Sequence, residues 1–171
     1  MPKIDPNEVK VREGSSYPAP FDAPCRGRKG WRLGDAGGLT QFGVNLMRIE
    51  PGAWASQRHW HSHEDEFVYV LEGELVLVED AGETLLQAGD SAAWPAGVRD
   101  GHHLQNRSER EAVFLVVGGR DEEDHGEYPD IDLTFGPDRY SGGPRSGYRH
   151  KDGTRYCAGV AESQSARPGA R

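Results

Sequence analysis

Between Leu39 and Gly119 the chain is written in short runs of β-branched and aromatic residues, each stopped by a turn signal. The runs Phe42–Ile49, Phe67–Leu71, Leu75–Glu79, Thr84–Gln87, Ser91–Trp94, His102–Asn106 and Ala112–Val117 are divided by Pro51-Gly52, Gly73, Ala81-Gly82, Gly89-Asp90 and Pro95-Ala96-Gly97. Strands of this length, with turns every roughly eight to twelve residues, predict an antiparallel sandwich or barrel. No stretch of about eleven residues here carries a helical period. A chain of 171 residues suits one compact domain, so the expectation is a single all-β barrel over residues 39–119.

The flanks have a different composition. Residues 1–38 include Tyr17-Pro18-Ala19-Pro20-Phe21-Asp22-Ala23-Pro24, and prolines at this density exclude a helix. Tyr17, Phe21, Trp31 and Leu33 predict that this N-terminal arm lies against the barrel or a partner. In residues 120–171, a C-terminal arm, Asp121-Glu122-Glu123-Asp124 reads as a solvated acidic loop and Tyr128–Leu133 as one edge strand. The last residues, about Ala161 to Arg171, read as disordered.

Only 35% of the residues are hydrophobic, and most of the aliphatic ones fall in the central region. Twenty Lys and Arg against twenty-eight Asp and Glu give a net charge of -8, which argues against nucleic acid or an anionic membrane as a partner. No apolar run of about eighteen residues is present, and Met1–Arg12 does not resemble a signal peptide. A soluble, cytoplasmic protein is expected, with Cys25 and Cys157 as reduced thiols.

The densest chemistry lies in Gln57-Arg58-His59-Trp60-His61-Ser62-His63-Glu64-Asp65-Glu66. In an extended segment, alternate histidines share a face, so His59 and His61 can approach one ion from the same side. Glu66 opens an apolar run, and strand parity puts it on the face of Val68 and Val70. A carboxylate there is costly unless it is paired or bound to a metal. Nitrogen ligands plus one carboxylate suit iron, manganese, nickel, zinc or copper. A further histidine follows the Pro95-Ala96-Gly97 turn. Parity aligns His102 with inward Leu104 and His103 with outward Gln105, which favours His102 while leaving His103 as the alternative. Gln57, His63, Tyr69, Trp94 and His103 are candidate pocket residues, and Glu64, Asp65, His63 and Tyr69 are candidate bases.

These segments resemble the two motifs of the cupin superfamily. The first reads Gly52, six residues, His59-x-His61, four residues, Glu66, six residues, Gly73; the second reads Gly89, five residues, Pro95-x-Gly97, four residues, His102, three residues, Asn106. The His-to-Asn spacing again supports His102. The resemblance, to small single-domain bacterial cupins in particular, implies a double-stranded β-helix (jelly-roll) barrel with extended N- and C-terminal arms. It also implies one divalent transition metal (Fe, Mn, Ni or Zn) on His59, His61, Glu66 and His102, and a homodimer. The expected function is metal-dependent chemistry on a small sugar-like, carboxylate or carbonyl compound, as isomerase, lyase or dioxygenase. The alternative is a non-catalytic cupin that binds or senses a small ligand.

Overall fold

The protein, seen in a computed structural model that describes residues 3–156, is built almost wholly of β-strands. Cys157 and the terminal segment after it lie outside the described residues. The strands are β1 (Val11–Glu13), β2 (Arg28–Arg32), β3 (Phe42–Ile49), β4 (Glu66–Glu72), β5 (Glu74–Glu79), β6 (Gly82–Gln87), β7 (Ser91–Trp94), β8 (His103–Gln105), β9 (Ala112–Gly119), β10 (Gly126–Tyr128), β11 (Leu133–Phe135) and β12 (Tyr148–Arg149). One short helix, α1 (Leu33–Ala36), follows β2. A six-stranded sheet in the order β1-β2-β3-β9-β4-β7 faces a three-stranded sheet in the order β6-β5-β8. Together they form the double-stranded β-helix. A third sheet, β10-β11-β12, comes from the C-terminal segment.

Alternation along β4 and β5 builds the centre of the interior. Val68 and Val70 of β4 are buried while Phe67, Tyr69 and Leu71 are exposed. The register Val68↔Val116 and Val70↔Phe114 carries the buried face onto β9, and Met47↔Phe114 carries it onto β3. Leu75, Leu77, Leu86 and Leu104 close the core from the opposite sheet. The β4–β5 turn needs glycine at position 73. Its φ is +75°, and a Cβ there would lie 2.9 Å from the Glu111 carbonyl oxygen.

Three expectations are revised. Tyr128–Leu133 is not one edge strand: Pro129 has no N–H for a ladder, and the chain turns there to pair β10 with β11 as Tyr128↔Leu133. Asp124 is not part of a solvated loop, because it is completely buried. His103 does not face solvent: Trp54 covers that side of β8, its ring meeting the His103 ring edge-on at 4.8 Å. The N-terminal segment also does more than lie on the barrel, since β1 and β2 extend the large sheet, with Trp31 opposite Leu46.

Candidate metal centre

His59 lies in an irregular extended segment that pairs with the start of β8. Its N–H and carbonyl exchange hydrogen bonds with His102, at 3.2 and 2.9 Å. The ring centroids of His59 and His102 are 5.2 Å apart, and those of His59 and His61 are 5.0 Å apart. Glu66 reaches the group from the start of β4, where it sits opposite Trp94. His59, His61 and Glu66 each place one ligand atom within 4.8 Å of the others. Glu66 Oε2 lies 3.4 Å from His61 Nε2 and 3.8 Å from His102 Nε2.

The second partners of these histidines leave the inner nitrogens free. His59 Nδ1 donates to the Gln57 carbonyl at 2.9 Å, and His61 Nδ1 donates to Asp124 Oδ2 at 2.8 Å, so each keeps Nε2 for an ion. His102 is buried with neither ring nitrogen hydrogen-bonded, and it is stacked on Trp94 at 3.9 Å and 5°. A buried imidazole with no partner is costly in a purely structural role and suits a metal ligand. His103 does not offer a free nitrogen: Nδ1 meets the Ser56 carbonyl at 3.0 Å and Nε2 meets Gln105 at 2.9 Å. The geometry therefore favours His102 over His103, and the donor set fits a divalent transition metal.

Electrostatics agree. Burial, with His61 and His102 nearby, pushes His59 down to about 3. Burial also opposes a charge on His61, but bonds to Asp124 and Glu66 outweigh it and raise that group to about 9. Glu66 is partly buried, which opposes its charge, yet His102 and His61 hold its carboxyl well below the usual range. A metal must displace the His61 proton, because only the neutral ring coordinates. Apparent metal affinity is therefore expected to rise steadily from pH 6 to about pH 9, measured by competition with a chromophoric chelator.

A second carboxylate group, formed by Glu64 and Asp124 beside His61, has a different character. Arg139 bridges it, binding Glu64 and reaching Asp124 Oδ2 at 2.9 Å, while the Tyr140 hydroxyl donates to Glu64 at 2.8 Å. An arginine inside the cluster makes it an ion-pair network rather than a second cation site. Asp124 also accepts the His63 backbone N–H at 2.9 Å.

A cavity of about 330 Å³ opens onto the four residues, and Trp94, His103 and Glu64 are among its walls. The other pocket candidates are elsewhere. Tyr69 is on the outer face of β4, His63 is exposed beside Ser62, and Gln57 is buried but turned to the Phe21 carbonyl. Of the four candidate bases, only Glu64 lines the cavity. Asp124, Arg139 and Tyr140 are not legible in the sequence, because they approach from the C-terminal segment, over 60 residues after His59 and His61, with no local pattern to mark them. Arg28 and Arg32 also line the cavity, and Arg28-Lys29-Gly30-Trp31-Arg32 carries no polar–apolar alternation that would point them inward.

Asn106, the last residue of the second motif, is structural. Its amide donates to the Ile49 and Arg110 carbonyls at 2.8 and 2.7 Å, and its oxygen accepts from Ser108.

A jelly-roll barrel with three histidines and a glutamate converging inside it defines a class of proteins. The cupin-domain family profile matches residues 45–118. A sugar phosphate isomerase of the cupin superfamily from Silicibacter pomeroyi is 48% identical, with a TM-score of 0.84 over 92% of this chain and 98% of that one. A putative sugar phosphate isomerase from Acidithiobacillus ferrooxidans is 28% identical, with a TM-score of 0.66 over 76% of this chain and 80% of that one. A Mycobacterium tuberculosis protein named Beta-D-galactosidase is 34% identical over 83 residues, which are 48% of this chain and 68% of that one. The chain belongs to the cupin superfamily.

Proposed function

We propose that this protein is a metal-dependent isomerase of sugar phosphates, with one divalent transition metal held by His59, His61, Glu66 and His102. The observation that carries the reading is His102, a buried imidazole without a hydrogen bond, aimed at the same space as Glu66 and the two Nε2 atoms. The likeness at 48% identity to a protein described as a sugar phosphate isomerase supports the substrate class.

A metal held by His59, His61, Glu66 and His102 would supply Lewis-acid stabilisation of negative charge at a substrate carbonyl oxygen. The chain supplies the proton carrier. Glu64 lines the cavity, and Arg139 and Tyr140 fix its carboxylate. In an aldose–ketose interconversion, Glu64 takes the proton from the carbon beside the carbonyl. It returns that proton to the former carbonyl carbon, while the hydroxyl proton of the carbon that was deprotonated passes to the former carbonyl oxygen, so the net change is an isomerisation. Glu64→Gln is expected to lower kcat by about 10²–10⁴ with the metal content unchanged. Following a panel of aldose and ketose phosphates by proton NMR with metal-loaded protein tests the reaction. Interconversion of one member supports the reading. No turnover of any member by fully loaded protein would leave the non-catalytic binding cupin in its place.

The assembly belongs to the same proposal. Phe67, Tyr69 and Leu71 of β4 and Phe42 of β3 are exposed on the outer face of the large sheet, beside Val44, Leu46, Leu115 and Val117. On a chain of net charge -8, an uncharged patch suits a second copy of itself better than a charged partner. A homodimer in light scattering, converted to monomer by Tyr69→Arg, is the expected result. No helix among the described residues is long and apolar enough to cross a membrane. Cytoplasmic residence is part of this proposal.

A further inference from the structure

The cavity is more basic than its metal centre requires. Residues 28, 30 and 32 of β2 share one face, and the pairs Arg28↔Ile49 and Arg32↔Asn45 make it the inner face that carries Val116, Val68 and Glu66. Four arginines line the cavity: Arg28, Arg32, Arg120 and Arg139. Three of them have carboxylate partners. Arg139 is paired with Glu64 and Asp124, while Arg32 and Arg120 share Asp35. Arg28 has none among the described residues. Its Nε donates to the Gly14 carbonyl at 2.8 Å and its Nη1 to the Ala55 carbonyl, so the guanidinium is fixed in place without being neutralised.

A partly buried cation held by backbone carbonyls and lacking a counter-ion favours a bound anion. The planar guanidinium fork matches phosphate oxygens. The wall between Arg28 and the histidines is aromatic: Tyr17 meets Tyr128 edge-on at 5.4 Å, and Tyr128 stacks on His59 at 5.6 Å. We propose that Arg28 binds the phosphate group of the substrate, so that the sugar lies along the Tyr17–Tyr128 wall with its carbonyl end at the histidines. This assignment rests on the isomerase reading of the site and adds the residue that selects phosphorylated over neutral sugars.

The test uses inorganic phosphate and protein freed of metal with a chelator, so that phosphate cannot be held by an ion. In wild-type protein, phosphate is expected to slow phenylglyoxal labelling of Arg28 several-fold, read by mass spectrometry. Exposed Arg26 should be labelled at an unchanged rate. Arg28→Lys keeps the charge but not the fork, and is expected to weaken phosphate binding about tenfold or more by calorimetry. Unprotected Arg28 in the wild type would overturn the assignment even if neither the variant nor the enzyme assay were available. Equal protection by acetate at matched ionic strength would overturn it as well, because it would show a general anion seat. Neither result touches the metal centre, whose own failure would appear as missing metal and not as lost phosphate binding.

Discussion

Asp124→Ala is expected to destabilise the protein by about 3–5 kcal/mol in urea or guanidinium unfolding, and to weaken metal binding about 10- to 100-fold. Asp124 is fully buried and serves several partners at once: His61 Nδ1, the His63 backbone N–H, the Ser62 hydroxyl and Arg139. Burial raises its pKa, but the bonds from His61 and His63 more than offset this and hold the carboxyl below its usual value. Removing the side chain leaves Arg139 with Glu64 alone and frees the His61 ring to turn. Asp124→Asn separates shape from charge. It keeps an acceptor for His61 and is expected to cost less stability, while still weakening the metal site because the ligand ring becomes less basic. His61 should titrate lower in both variants, which proton NMR of the ring would report. An Asp124→Ala protein with wild-type stability and metal affinity would show that the carboxylate does not support the site.

Phe114→Ala carries the second large effect, a loss of about 3–5 kcal/mol. Phe114 is 1% exposed and lies opposite Met47 on one neighbouring strand and Val70 on the other. It joins the core to the floor of the cavity. Truncation opens a void that is hard to collapse, because β3 and β9 are tied by an unbroken ladder from Phe42↔Gly119 to Ile49↔Ala112, and β4 flanks β9 on the other side with a bulge only after Val70. The four proposed ligands come from other positions, so the variant should still take up metal in native conditions. A drop in the unfolding midpoint with metal stoichiometry retained is the expected pair of results. An unchanged midpoint would mean that the site is not close-packed.

The two predictions also mark the limit of what the sequence disclosed. The runs Phe42–Ile49 and Ser91–Trp94 are legible in the sequence with their observed ends, because the turns that stop them are written in Pro and Gly. Strand parity put Glu66 with Val68 and Val70. His102 was separable from His103 by spacing. Parity misjudged His103, since it describes two faces of an isolated strand and cannot see Trp54 arriving from elsewhere to cover the second face. Asp124 shows the same blindness in sharper form. In a run of four acidic residues nothing local distinguishes the one that turns inward to a histidine 63 positions earlier. Tyr128–Leu133 alternated in polarity as a strand would, but Pro129 and Asp130 made it the turn of a hairpin.

Elemental analysis of protein prepared without a histidine tag tests whether His59, His61, Glu66 and His102 form a metal centre. About one iron, manganese, nickel or zinc per chain is expected in the parent and almost none in His61→Ala, with the barrel still folded by circular dichroism. A parent protein that holds no metal, and takes up none when each ion is added back, would show that these four residues are not ligands.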